Sequence, residues 1–250
     1  MEIFSRLLHE KSKSAWSKDY NESDPTTWPT EWKTRFYKEY KRFPSIPLPD
    51  IDVSDIDRPL TNCISSRKSD RDLISPNQLN LKQLSVLLKY SCGEFNSPEK
   101  MNAGYRAQPS AGARFPIEMY VLLFHGDQLE SGVYHYNVKN HTLEWMWEGG
   151  DLFNDKTFLM RGTETSWTNN ASALLVMSGV FWRSQNKYGA RGYRMACIEV
   201  GAIIQNLYLV SQLLNLKCVA FSGTNDDKIE SLLDFNTETE SLIMSTVIGS

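Results

Sequence analysis

The chain has 250 residues, 41% of them apolar and 23% charged, which supports one globular domain, with or without an arm, and excludes intrinsic disorder for the whole. Lys and Arg number 27 against 30 Asp and Glu, a formal charge of -3, so no broad basic field exists to gather the phosphates of a nucleic acid. The four cysteines, at positions 63, 92, 197 and 218, are spaced for neither paired zinc knuckles nor a small disulfide scaffold and read as reduced packing thiols. Residues 1–10 hold no apolar block of signal-peptide length, and no later window approaches the ~20 uncharged apolar residues of a bilayer span. The expectation is a cytoplasmic protein with neither a membrane nor a nucleic-acid partner.

In chain order, residues 1–60 carry Trp16, Trp28 and Trp32 among charges and prolines and end in Pro44, Pro47, Pro49 and the acidic Asp50, Asp52, Asp55 and Asp57. Anchors without periodicity read either as an arm that packs its tryptophans on the main domain, residues 61–250, or as a docking surface for a partner chain. From Leu79 the pattern is helical: Leu84, Leu87 and Leu88 share a face, Asn80 and Gln83 are placed as a capping box, and Gly93 stands as a left-handed stop. β-Branched and aromatic residues then predict strands at 117–124 and 173–181, and a hairpin of 133–136 with 142–147 around an Asn-Val-Lys-Asn-His turn. The proline-free stretch 191–216 sets Met195, Ile198, Ala202, Leu209 and Leu213 at helical spacing, with Ile203, Ile204, Leu207 and Val210 on further faces. A long central helix, buried between layers or subunits, is expected there. A strand at 218–221, a charged helix near 226–235 and a last strand at 242–248 complete an α+β order without regular βαβ alternation.

The Rossmann fingerprint, the phosphate loop and the Gly-x-Ser-x-Gly elbow are all missing from the sequence. His9, His125, His135 and His141 have no metal-ligand spacing; His135, inside the alternating Tyr134-His135-Tyr136, reads as a cross-strand residue, and no metal is assigned. Three stretches carry chemistry. In Ser65-Ser66-Arg67-Lys68-Ser69-Asp70-Arg71 an extended backbone puts Arg67, Ser69 and Arg71 on one side, two guanidinium forks and a hydroxyl able to surround one phosphate. Alone, a charged surface loop fits that run better. Between Pro109 and Pro116, Ala111 and Gly112 let a backbone approach a flat ligand, or simply make a turn. The run from Asn186 to Arg194 mixes cations with tyrosines at the start of the long helix, which alone fits RNA contact or a solvated basic loop equally.

Together and in this order, the three stretches resemble the nitroreductase-like flavoenzymes, specifically the SagB-type branch of azoline dehydrogenases that finish thiazoles and oxazoles in ribosomally made peptides. The resemblance spans about residues 60–249. It rests on Arg-Lys-Ser-Asp-Arg from Arg67, Pro-Ser-Ala-Gly-Ala-Arg-Phe-Pro from Pro109, Gly-Val-Tyr-His-Tyr from Gly132, Lys-Tyr-Gly-Ala-Arg-Gly-Tyr-Arg-Met-Ala from Lys187 and Glu-Val-Gly-Ala-Ile-Ile-Gln-Asn from Glu199. Lys-Arg-Phe-Pro-Ser-Ile-Pro-Leu-Pro from Lys41 resembles the lead-in of such proteins. The resemblance implies an α+β nitroreductase-like fold, a mixed central sheet flanked by helices, and a homodimer around the long helix with FMN at the subunit interface. It places Arg67, Ser69 and Arg71 on the phosphate and ribityl end, and Pro109, Ser110 and Gly112 along the flavin. Ser222 and Gly223 stand where the family has a glycine turn facing the hydride-accepting nitrogen, though Gly-Thr-Asn replaces the usual Gly-Phe-Asp. The C-terminal Lys/Arg pair of nitroreductases is absent, the sequence reading Ile248-Gly249-Ser250 at that point.

Lys187 and Tyr188 match the pair to which that branch's catalysis is assigned. Aromatising an azoline removes a proton from one ring carbon and a hydride from another, so a base is needed beside the flavin. Lys has a reference pKa of about 10.4 and Tyr of about 10, so either requires lowering to act as a base near neutrality. Burial and the nearby Arg191 would serve Lys187, with Tyr188 orienting the ring or stabilising the anion; Lys187 as a purely electrostatic group stays open. Implied partners are an azoline-containing precursor peptide and the cyclodehydratase that makes it, with O₂ or another acceptor reoxidising the flavin. Two other readings remain: a stand-alone NAD(P)H-dependent reductase of nitro or quinone compounds, and a non-catalytic scaffold of a peptide-modifying complex.

Overall fold

The computed structural model describes residues 2–13, 24–52, 58–73, 78–95, 104–153 and 166–250. Trp16, Asp55 and Asp57 lie outside them. The chain forms helix α1 (Glu2–Lys11), helix α2 (Thr30–Lys33), strand β1 (Ser45–Pro47), and helices α3 (Leu60–Ser66) and α4 (Leu81–Cys92). A ribbon of β2 (Glu94–Phe95) and β3 (Tyr105–Arg106) leads to strands β4 (Ile117–Leu123), β5 (Gly132–Asn137), β6 (Thr142–Glu148) and β7 (Ala173–Gly179). Helices α5 (Trp182–Tyr188) and α6 (Arg191–Leu213), strand β8 (Lys217–Phe221), helix α7 (Asp226–Leu232) and strand β9 (Ser241–Gly249) follow.

Seven strands make one sheet in the order β1-β6-β5-β4-β7-β9-β8. The α+β class is as expected, but the sheet is not mixed: each neighbouring pair in it runs antiparallel. The reason is connectivity. The α5–α6 crossover carries the chain from β7 to β8, which point the same way, and β9 then inserts between them and keeps them from pairing parallel.

Alternation along β4 divides the core. Ile117, Met119, Val121 and Leu123 face α4 and α6, joining Leu84, Leu87, Leu88, Val200, Ile203 and Leu207. Tyr120 and Leu122 face the opposite side with Ile229 and Leu233, and against that side pack Tyr40 and Phe43 from the N-terminal segment. The capping box forms: the Gln83 N–H donates to the Asn80 side chain at 2.8 Å and the Asn80 N–H to the Gln83 side chain at 3.1 Å. Gly93 caps the other end but is extended, at φ -70°, rather than left-handed. Glycine is needed there for closeness, because a Cβ would sit 2.5 Å from the Lys89 carbonyl oxygen.

Helix α6 buries Ala196, Val200, Ile203, Leu207 and Val210, and leaves Ile198, from the other apolar stripe, 66% exposed. By length and composition it does reach membrane-spanning character, with a mean hydropathy of 1.3 over its best window. Its packing on α4 and α5 makes it a core helix. Cys63, Cys92 and Cys218 are buried, Cys197 is half-buried, and all four are free thiols.

The second face carries buried charge. The two ring nitrogens of His135 lie 2.7 Å from the Glu144 carboxylate and 3.1 Å from that of Glu118, and the Arg183 guanidinium donates to Glu118 at 2.5 Å. Burial pushes the Glu118 carboxyl up, but Arg183 and His135 outweigh it and hold the group down at about 2. Lys38, Tyr120 and Ser178 surround Glu240 beside this network. Glu118 should therefore contribute stability above its ordinary 4.5 and lose it as pH falls toward about 2. Glu118→Gln is expected to cost about 3–5 kcal/mol in denaturant unfolding, because Arg183 stays buried without its partner. The variant should also flatten stability over that pH window; an unchanged acid limb counts against the network.

Candidate functional site

Three segments meet around Gly112. The chain enters β4 through a 3-10 turn, Ala111–Ala113, in which Gly112 is left-handed at φ +58°, as are the non-glycine residues Ala113 and Phe115. The Ser110 hydroxyl accepts the Phe115 N–H at 2.9 Å and braces the turn. Helix α5 ends opposite. A Cβ on Gly112 would lie 2.3 Å from the Tyr188 hydroxyl and 3.4 Å from the Lys187 Nζ, so the missing side chain is what lets both approach the turn.

The third segment is N-terminal. The Lys187 Nζ lies 4.1 Å from the Trp28 ring centroid, 5.4 Å from that of Trp32 and 5.6 Å from that of Tyr188. Sequence sets Arg191 beside Lys187; in the structure the Nζ also meets these aromatic faces. Trp32, 6% exposed, donates its indole N–H to the Asn186 carbonyl at 3.0 Å. Arg114 bolts this segment to the turn, donating to the carbonyls of Glu31 (2.6 Å), Thr34 (2.9 Å) and Gly112 (3.2 Å). Burial raises the Tyr188 phenol, with Arg114 opposing, so at neutral pH Tyr188 is a hydrogen-bond donor.

The turn also leans on α6. The Gln108 amide donates to buried Glu199 at 3.1 Å and Ser110 hydrogen-bonds the same carboxyl. Burial raises Glu199 to about 7 against the pull of Ser110, Gln108, Arg106 and Arg183.

Arg67, Ser69 and Arg71 gather elsewhere, around the end of β8. The Ser69 hydroxyl is 2.7 Å from the Tyr208 hydroxyl, which accepts the Ala220 N–H at 2.9 Å, and the Arg67 guanidinium lies 5.3 Å from the Tyr208 ring. Arg71 lies over Trp167 at 5.6 Å, Trp167 meets Phe221 edge-on at 5.5 Å, and Gly223 packs against Phe221. Ser222 is exposed at the same turn. Asp70 is taken by Lys68 at 2.9 Å, and among the described residues neither arginine has a carboxylate partner. Two exposed guanidinium forks beside a hydroxyl fit a phosphate monoester. The Gly-Thr-Asn departure has a local role: Thr224 bonds Asp226 at 2.8 Å and Asn225 is the N-cap of α7.

The structure thus brings Lys187 and Tyr188 to Gly112 and Ser110, with Pro109 exposed at the rim, and gathers Arg67, Ser69 and Arg71 with Ser222 and Gly223 in a second cluster. Tyr208 follows Glu199 by nine residues on α6, about 13 Å along the axis at roughly 1.5 Å per residue. Sequence reasoning passes over Arg114, Tyr208 and the tryptophan contacts. Neither Arg114 nor Tyr208 carries a local sequence signal, and only packing reveals what they join. His135 is cross-strand as expected, and no three His, Cys, Asp or Glu side chains among the described residues are grouped to hold a metal.

The model of the nitroreductase family matches residues 64–250. A Methanocaldococcus jannaschii protein named as a nitroreductase is 29% identical over 191 residues, 75% of this chain and 88% of that protein. The trifolitoxin-processing protein TfxB of Rhizobium leguminosarum bv. trifolii is 29% identical over 69% of this chain, and the microcin B17-processing protein McbC of Escherichia coli 26% over 69%. The matches span 48% of TfxB and 63% of McbC. A chain of the E. coli microcin synthetase McbBCD complex with truncated pro-MccB17 bound superposes with a TM-score of 0.63 at 20% identity, over 99% of this chain and 92% of that one.

The Gly112 contact is testable by a double-mutant cycle. Gly112→Ala is expected to cost about 2 kcal/mol in thermal or denaturant unfolding, from positive φ and from collision with Tyr188. In a Tyr188→Phe background part of that cost should vanish, a coupling of roughly 0.5 kcal/mol or more; strict additivity would separate the two residues.

Proposed function

Because this chain belongs to the nitroreductase family, we propose that it is an FMN-dependent dehydrogenase that oxidises peptide thiazolines or oxazolines to azoles. One observation carries the reading: the Lys187 ammonium and the Tyr188 hydroxyl converge on the Gly112 turn. The named roles of TfxB and McbC in processing peptides support it. So does the Asn186 side-chain amide, buried beside Lys187 with neither its donor nor its acceptor matched among the described residues. A peptide group supplies that complementary pair.

Arg67 and Arg71 hold the phosphate of FMN, and Ser69 adds a hydroxyl once Tyr208 donates to it. Pro109, Ser110 and Gly112 lie along the ring, and Ser222 and Gly223 face it from the β8 turn. Bound FMN supplies the acceptor for the hydride that leaves one azoline carbon. Lys187, as the free amine left once its ammonium has released a proton to solvent, takes the proton from the other carbon, so the substrate loses one hydride and one proton as its ring becomes aromatic. Tyr188, kept as a phenol by its surroundings, donates a hydrogen bond to the negative charge that builds up on deprotonation.

The two clusters belong to one flavin site if a second copy packs on α6. Ile198 and Tyr193 on α6, and Leu60 and Ile64 on α3, are exposed apolar side chains suited to such a homodimer. A cytoplasmic location, with the cyclodehydratase that forms the azoline as partner, completes the proposal, as does an N-terminal arm of residues 1–60 on a domain of 61–250.

Lys187→Ala should keep its bound FMN spectrum and lose azoline oxidation by at least about a hundredfold, followed by the mass loss of two hydrogens from an azoline peptide. Wild-type turnover in that variant would remove Lys187 from catalysis. Rapid NADPH bleaching without azoline turnover in the native protein would instead favour small-molecule reduction, as the name of the M. jannaschii relative suggests. Ile198→Arg should shift the protein from dimer to monomer in light scattering and weaken FMN retention with it; an unaltered dimer relocates the interface.

A further inference from the structure

We propose that Trp28 and Trp32 are a wall of the reaction site and position the Lys187 side chain for catalysis, an inference that rests on the azoline-dehydrogenase reading. The two indoles meet edge-on, centroids 6.1 Å apart at 64°, and the Lys187 Nζ lies 4.1 and 5.4 Å from their centroids. That is a cation against the negative faces of two rings. A ring face holds the ammonium more weakly than a carboxylate would, and so opposes its loss of a proton less, while the side chain is kept beside the Gly112 turn, where a Cβ on Gly112 would lie 3.4 Å from the Nζ.

The indoles are themselves fixed. Trp32 donates to the Asn186 carbonyl one residue before Lys187, so any shift of the wall moves the helix that carries the lysine. Arg114, 4% exposed, clamps the carbonyls of Glu31 and Thr34 on either side of Trp32 while holding the Gly112 carbonyl. One guanidinium therefore sets the distance between the wall and the turn, with the Lys187 ammonium between them. Trp28 and Trp32 are positioning residues: they act on the reaction through Lys187.

The test uses the full-length FMN-loaded protein with its lysines reductively ¹³C-methylated, a modification that keeps the positive charge. The Lys187 resonance is identified by its loss in Lys187→Arg. In the native protein it should be displaced upfield by the indole ring currents, in Trp28→Leu it should return toward the exposed-lysine range, and in Trp28→Phe it should keep part of the displacement. In parallel, Trp28→Leu should lower kcat for azoline oxidation about tenfold with KM changed far less, and Trp28→Phe should recover most of the loss. An undisplaced Lys187 resonance in the native protein overturns the wall whatever the enzyme does. A displaced resonance with native kcat in Trp28→Leu overturns the positioning role. A displaced resonance in a protein that oxidises no azoline leaves the wall standing and rejects the dehydrogenase reading instead.

Discussion

A seven-stranded sheet has two faces, and both must be covered. Helices α4 and α6 cover one. Among the described α-helices only the short α7 packs on the other, against β9, and the N-terminal segment adds Tyr40 and Phe43 to that face. Covering that face means burying Glu118, His135, Glu144 and Glu240, and the segment contributes groups that satisfy them: Lys38 pairs with Glu240 and the Tyr40 N–H donates to Glu144 at 3.0 Å. The polar network thus fixes the path of the segment across the sheet. Once residues 38–43 are held there, the residues just before them, 28–34, fall beside the end of α5, where Lys187 lies.

This path gives the segment two tasks with different physics. Against the sheet it makes desolvated charge pairs, which are intolerant of losing a partner. Against α5 it offers π-faces and an indole N–H, which hold the end of that helix by contacts weaker than a buried ion pair. Arg114 joins the tasks, since it is buried yet spends its donors on three backbone carbonyls. Replacing it by Lys would keep the charge but not the fork.

Much of the architecture was legible. Apolar periodicity located α4, α6 and the principal strands because each must bury one face, and the Asn80–Gln83 pair marked the start of α4 by local hydrogen bonding that needs no tertiary context. Features that depend on distant chain were not. Gly93 looked like a left-handed stop, whereas its need for glycine comes from the approach of the Lys89 carbonyl. The stripe containing Ile198 looked buried because composition cannot say which apolar face a single chain covers. Trp28 and Trp32 were recognisable as anchors, but their target, more than 150 residues away, was not. Arg67, Ser69 and Arg71 stood close in sequence and were found together, while the link from Ser69 to β8 runs through Tyr208, which periodicity alone assigns to the core.

The long helix ties two clusters far apart in the chain to one rigid element. Glu199 steadies the turn that carries Ser110 and Gly112, and Tyr208, on the same rigid helix, steadies Ser69 and the start of the Ser222–Gly223 turn. A 23-residue helix keeps those two sets of groups at a fixed separation within the chain far better than loops could. The exposed stripe of the same helix, led by Ile198, is where a second copy would dock. In the proposed dimer, a second copy seated on Ile198 would therefore load the same element that steadies both the Ser110–Gly112 turn and the Ser69 hydroxyl.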